Sequence, residues 1–230
     1  MFPHFEERLS ESPFVERVWM AQSEQGSSFT SISTVLWSMV VSKWRGHLTL
    51  SLHGPETGAT AKEFPTEGEW FGIAFKLGTF VPHISPGSLI DGNIVLPNLS
   101  GRAFSLCHSA WQFPDYENAD TFVNQLVRAG ILVHDPVMSA VHQGQSPSLS
   151  LRTMQYRFLR ATGLSHRTIR QIERARYATA LLKRGMSIFD TVCEAGYSDQ
   201  PHLTRSLKHY IGHTPAEIPT TPIIALHDSP

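Results

Sequence analysis

The stretch GYSDQPHLTRSLKHYIGHTP, residues 196–215, decides how the second half of this chain is read. A glycine followed by an aromatic residue leads into a polar, basic segment that closes on a second glycine and a proline. Gly196 suits the positive φ of a tight turn, and Ser198 or Asp199 can cap a helix starting just beyond it. Pro201 falls in the first turn of that helix, where its missing N–H costs nothing. Leu203, Leu207 and Tyr210 recur at helical spacing and face inward, so Gln200, Pro201, Thr204, Arg205 and Lys208 face out, with His202 at the margin. An outer row of amide, hydroxyl and guanidinium groups matches the donors and acceptors of major-groove edges and phosphates.

Upstream, SIFDTVCEA (187–195) reads as a short helix capped by Ser187, with Ile188, Val192 and Cys193 on its inner face. Together the two segments have the layout of a helix-turn-helix. A second copy lies in SLSLRTMQYRFLRATGLS (148–165). Here Ser150 is the cap, Met154, Phe158 and Leu159 are inner positions, and Arg152, Thr153, Gln155, Tyr156 and Arg160 point outward. Both copies end in a basic helix end followed by glycine. Between them SHRTIRQIERARYATALLKRG (165–185) reads as one long linker helix, with Ile169, Ile172, Ala175, Arg176, Ala180 and Leu181 in a stripe. Two such helices on a rigid spacer suit successive major-groove segments, roughly 34 Å apart. The connection before the first outer helix, HQGQSPSLS (142–150), is longer than a helix-turn-helix turn, and its Gly144 and Pro147 set the first motif apart.

Composition limits the remaining readings. The 230 residues allow one large domain or two modest ones. No run approaches the roughly 20 apolar residues of a membrane span, and MFPHFEERLSESPF has no apolar signal core, so the expectation is a cytoplasmic protein with no membrane partner. Net charge is −1, yet residues 148–218 hold 11 Lys and Arg against 5 Asp and Glu. Moving the cut to residue 115 brings the balance to 12 against 9, so charge alone does not carry the conclusion.

From about residue 30 to 113 the period is two. HLTLSLH (47–53), WFGIAFKLGTF (70–80) and TVLWSMVVSKW (34–44) are strands divided by Gly/Pro turns. This predicts a small antiparallel β barrel or sandwich, cupin-like in scale. Near residue 115 the period becomes helical, with segments expected at 118–129, 135–143, 150–161, 165–184, 187–195 and 199–211. The fold class is therefore α+β in two domains. Residues 1–114 form a β-rich sensor or dimerisation domain, 115–218 an all-α double helix-turn-helix, and 219–230 a tail.

The chemistry of a catalytic or metal centre is thin. Cys107 and Cys193 are too few for a zinc quartet, and Cys107 beside His108 reads as strand neighbours pointing to opposite faces. His47, His53, His83 and His108 include no H-x-H pair, so no metal site is expected. Trp37, Trp44, Trp70, Phe71, Phe75, Phe80 and Trp111 fill a barrel core or line an apolar pocket. No catalytic residue and no cofactor are expected.

The segments RTMQYRFLRATGLS, QIERARYATALL and GYSDQPHLTRSLKHYIGHTP, in this order, resemble the DNA-binding domain of the AraC/XylS family of bacterial transcription regulators. The resemblance covers roughly residues 116–218. It implies double-stranded DNA as partner. Base reading falls to Arg152, Gln155 and Tyr156 in the first helix and to Gln200, Pro201, His202, Thr204 and Arg205 in the second, with Arg160 and Lys208 on phosphates. It further implies that the β-rich domain binds a small effector or forms a homodimer. A ligand-independent regulator whose first domain only dimerises or contacts RNA polymerase, and an enzyme fused to the DNA-binding module through a reactive cysteine, are the alternatives.

Overall fold

The computed structural model describes residues 4–142, 145 and 149–218. Gly144 and Pro147 of the long connection and the 219–230 tail lie outside the described residues.

The first half contains β1 (His4–Leu9), β2 (Val15–Ser23), β3 (Ser27–Ser31), β4 (Ser38–Trp44), β5 (His47–His53), β6 (Thr60–Phe64), β7 (Gly68–Phe75), β8 (Thr79–Phe80), a 3-10 turn at Pro86–Ser88, β9 (Asn93–Leu96), β10 (Ala103–Leu106) and β11 (Ser109–Gln112). Six strands form one open antiparallel sheet in the order β1-β2-β7-β4-β5-β9, with β1 and β9 as edges. The barrel alternative is thus set aside, because no ladder joins β1 to β9 among the described residues. Short ribbons β3–β6 and β10–β11 lie beside the main sheet.

The alternating runs make the expected strands. Leu50 and Leu52 of β5 and Met39 and Val41 of β4 are buried, and the two strands pair from Ser38↔His53 to Trp44↔His47. Strands β1 and β2 precede the stretch read as period two. In β2, Val15, Val18 and Trp19 are buried together with Arg17, so both faces are covered and simple alternation is lost. Cys107 and His108 are not strand neighbours. They form the two-residue turn of the β10–β11 hairpin with φ 50° and 62°, the primed geometry that matches strand twist.

The second half contains α1 (Ala119–Arg128), β12 (Val133–His134), α2 (Pro136–His142), α3 (Leu151–Thr162), α4 (His166–Lys183), α5 (Ile188–Glu194) and α6 (Gln200–Tyr210). Each expected helix is present. Ser150, Ser165, Ser187 and Asp199 each accept a backbone N–H three residues on, from Thr153, Thr168, Asp190 and His202, so all four caps are made by their own side chains.

Where the period changes, near residues 114–118, the core is continuous. Phe122, Val123 and Leu126 of α1 share a buried cluster with Ile73 and Phe75 of the sheet and with Phe158, Ile169 and Ile172 of α3 and α4. Arg8 of β1 donates to Asp120 of α1 at 2.8 Å, and β12 pairs with β8 through Val133↔Phe80. A second cluster joins Ala175, Ala178, Leu181 and Leu182 of α4, Val192, Leu203, Leu207 and Ile211, and includes Ile32 from the β-rich half.

Candidate nucleic-acid interface

Helices α5 and α6 form the second motif. Val192 is buried against Leu203 and Leu207, both 0% exposed. Cys193 is exposed, contrary to its expected inward place. On this two-turn helix Thr191, Val192 and the following Ala195 make the inner face. Gly196 makes the turn with φ 67°.

Tyr197, the aromatic after that glycine, is buried and joins three elements. Its hydroxyl meets Ser206 Oγ of α6 at 3.0 Å, and its ring stands edge-on to His202 at 5.1 Å. The Arg174 guanidinium of α4 lies 4.3 Å over the same ring and donates to the Gly196 carbonyl at 3.3 Å. The long helix is thereby latched to the turn. Arg174→Met is expected to weaken the folded second motif by about 1–2 kcal/mol, the scale of a partly desolvated cation–π contact. Unfolding midpoints of variant and parent check it.

Asp199 opens α6. The His202 N–H holds its carboxyl below the ordinary carboxylate range. A depressed pKa in the folded state contributes stability that is present above the unfolded value and lost as pH falls through the folded one. The cap is therefore complete at neutral pH.

The outer face of α6 is arranged as the sequence predicts. Gln200, Pro201, Arg205 and Lys208 are exposed, while His202 and Thr204 are half-buried, with His202 Nδ1 3.1 Å from Ser198 Oγ. On α3, Arg152, Gln155, Tyr156 and Arg160 are exposed. Thr153 is half-buried and its hydroxyl sits 2.9 Å from Ser150 Oγ, within the cap. Phe158 is buried as expected, while Leu159, also expected inward, is 50% exposed and Ala161 and Thr162 are buried in its place. The inner stripe follows 154, 158 and 161, which turns position 159 aside.

The two outer helices repeat one another. Cap Ser150 corresponds to Asp199, Met154 to Leu203, Tyr156 to Arg205, Phe158 to Leu207 and Gly163 to Gly212. Their partners differ. In the second motif α5 covers Leu203, while Met154 is only half-buried and opens on a cleft. That cleft, of about 1140 Å³, runs between α3 and α6 along α4. It is lined by Gln155 and His202 and by Arg167, Arg170 and Arg174. Arg167 and Arg170 are exposed linker-helix cations that the outward-face reading of α3 and α6 misses. Their spacing of three and seven with Arg174 was the available signal.

The cations divide by location. In the β-rich half Arg8, Arg17, Lys43 and Lys62 pair with Asp120, Glu7, Glu69 and Glu56. In the helical half Arg157 pairs with Asp135, while Arg152, Arg160, Arg167, Arg170, Arg205 and Lys208 show no ion pair among the described residues. Such cations keep their charge available for a polyanion.

The chemistry elsewhere is quiet. Burial raises the Cys107 thiol, the opposite of an activated nucleophile. His53, beside Ser51 Oγ at 2.8 Å, is pushed down to about 4 by burial and by Lys62. No group of three or more His, Cys, Asp or Glu among the described residues could hold a metal ion. No described helix is long and apolar enough to cross a membrane.

This geometry, a short capped helix, a tight turn and an exposed polar helix on a buried leucine pair, defines a helix-turn-helix, the DNA-binding module of transcription regulators. Residues 146–219 match the family described as a helix-turn-helix domain, about a third of the chain. In fold comparison the chain is similar to the crystal structure of ToxT from Vibrio cholerae O395, at 11% identity and a TM-score of 0.42 over 95% of this chain and 99% of that one. No curated protein matches the chain.

Proposed function

We propose that the chain is a sequence-specific transcription regulator that reads two major-groove segments of double-stranded DNA with α3 and α6. The carrying observation is the outer face of α6, where Gln200, Thr204, Arg205 and Lys208 stand on the buried Leu203 and Leu207, and neither cation has an ion pair among the described residues. Base edges fall to Gln200, Pro201, His202, Thr204 and Arg205, and to Arg152, Gln155 and Tyr156 on α3, with Thr153 beside them at the cap. Arg160 and Lys208 take phosphates, joined by Arg167 and Arg170 across the cleft.

Selection from random duplexes tests this reading. One recurring sequence should emerge, with affinity falling steeply as salt rises. Arg205→Ala should cost about 1–3 kcal/mol and relax preference at one base pair. Lys208→Ala should weaken all sequences alike and lower the salt slope by about one. Equal binding to every duplex removes the specific reading.

For the β-rich half, Trp37, Phe75 and Phe80 are packed in the core. This supports a docking role over one in which those rings line an effector site. A melting screen against small metabolites separates the two, since a ligand of the folded form raises the midpoint.

A further inference from the structure

Each outer helix ends on a glycine with positive φ, Gly163 at 73° and Gly212 at 83°. A left-handed glycine commonly closes a helix and needs no partner to do so. Here both glycines are also points of close approach to the β-rich half. A Cβ on Gly163 would lie 3.0 Å from Ile90 Cδ1 and 3.1 Å from the Pro86 carbonyl carbon. A Cβ on Gly212 would lie 2.8 Å from Thr30 Cγ2 and 3.2 Å from Ala59 Cβ. Two repeats of one helix therefore rest their C-terminal ends on two different loops of the same body.

At α6 the contact is made by backbone hydrogen bonds. The Ala59 N–H donates to the His209 carbonyl and the Ser33 N–H to the Tyr210 carbonyl, each at 2.8 Å. The last carbonyls of a helix have no partner within it. These two are satisfied by strand-connecting loops about 150 or more residues away in sequence, rather than by water. Arg176 of α4 closes the corner by donating to the Ser33 carbonyl at 3.2 Å. Ile32, next in the chain, is buried with Leu207 and Ile211.

At α3 the support comes from the β-rich half and from a segment docked on it, just after β12, where the Asp135 N–H donates to the Gly78 carbonyl at 2.8 Å. Arg157 Nη1 donates to both Asp135 oxygens, at 2.8 and 2.9 Å. Phe158 and Ala161 are buried in the sheet's own cluster, and α3 packs on β8 and the Pro86–Ser88 turn. Helix α2, which precedes α3 as α5 precedes α6, buries Met138 in that same cluster, its Cβ site 3.4 Å from the Cβ position of Gly78. The β-rich half thus covers Phe158 and Ala161 of α3 and leaves Met154 on the cleft.

We infer that the β-rich half is a positioning element for DNA reading, which holds α3 and α6 by their C-terminal ends and sets the separation at which they are presented. The positioning groups are the Ser33 and Ala59 amides for α6, and for α3 the Pro86–Ile90 loop together with the Gly78 carbonyl, which holds Asp135 in place. The statement about DNA rests on the proposed reading of two groove segments; the statement about separation does not.

The decisive measurement is the distance between spin labels on the full chain, at Arg160→Cys and Lys208→Cys, after Cys107→Ser and Cys193→Ser. The labelled parent should give one narrow distribution. Adding Arg157→Met and Ala59→Pro, which remove one anchor at each helix, should at least double its width, while helical content by circular dichroism stays. An unchanged width in that variant overturns the inference. Amide exchange on the unsubstituted chain gives a second, fold-independent reading. Ser33 and Ala59 N–H should exchange on the timescale of the α6 core amides, and exchange at the rate of open loops overturns it equally. With duplexes carrying the two selected half-sites at graded spacings, the parent should favour one spacing by about tenfold or more, and the two-anchor variant should flatten that preference. A parent that selects no sequence defeats the DNA reading, and the label distances still decide whether the β-rich half holds the helices.

Discussion

Leu203→Ala is expected to destabilise the protein by about 2–5 kcal/mol, the range for truncating a fully buried leucine in a core that cannot collapse around the gap. Leu203 is 0% exposed and stands among Ala175, Ala178, Val192 and Leu207. The alanines of α4 are too small to swing into the space, so most of the cavity term should persist. In a chain of this length each kcal/mol moves the unfolding midpoint by about 2–4 °C, which places the fall at roughly 4–20 °C. Met154→Ala makes the comparison, because Met154 holds the matching position in the other repeat and is half-buried on the cleft. Its cost should be about 1 kcal/mol or less, since little apolar surface returns to water. Thermal unfolding of both variants checks the pair. Equal effects would show that the two outer helices are supported alike, and the asymmetry between them would fall with that result.

Much of the helical half is legible in residue order, because its signals are local. A serine or aspartate three residues before the N–H it accepts needs no tertiary partner; Ser150 and Ser187 cap as they read, Asp199 takes the place left open between it and Ser198, and Ser165 caps α4 in the same way. In α4 Ile169, Ile172, Ala175 and Leu181 are buried as read, while Ala180 is half-buried and Ala178, Thr179 and Leu182 turn inward; in α6 Leu203 and Leu207 are buried and Tyr210 is half-buried. Cys193 and Leu159 are exposed against expectation. Both sit one position past a buried residue, where a rotation of about 100° decides between core and surface. Hydrophobicity alone does not choose. The β-rich half is less legible for a different reason. Strand β2 lies inside the sheet with both faces covered, so Arg17 is buried beside Val15, Val18 and Trp19 and the alternation that marks β5 is missing.

The outer-face residues of α3 and α6 follow from helical geometry once the caps are placed. Arg167 and Arg170 do not, because they belong to a helix whose role as spacer directs attention to its buried stripe. Least legible is the docking of both helix ends on the β-rich half. Gly163 and Gly212 read as ordinary helix stops, and nothing near them in sequence names Pro86, Ala59 or Thr30 as neighbours. Contacts of long sequence separation leave no local pattern to find.

Arg17 supplies the second large effect. Its side chain is 2% exposed and its Nη1 donates to Glu7 Oε2 at 2.8 Å. Nε and Nη2 have no hydrogen-bond partner among the described residues. Burial lowers the pKa of this guanidinium, with Glu7 opposing and Glu16 adding a weaker attraction. A charge held this way is stabilised chiefly by its ion pair, so removing the partner costs more than removing the pair. Glu7→Gln is therefore expected to destabilise by about 2–3 kcal/mol, below the 3–5 kcal/mol of a fully buried pair because Glu7 faces solvent on one side and Glu16 remains. Arg17→Met removes the buried charge together with its two unpaired donors and replaces them with an apolar chain of similar reach. That change should be neutral within about 1 kcal/mol or stabilising. With Arg17→Met already present, Glu7→Gln should then cost almost nothing, because no buried charge is left to abandon. A denaturation cycle over the four combinations measures the coupling directly. Additive costs would mean that Glu7 does not hold Arg17, and the place of β1 on the sheet would need another explanation.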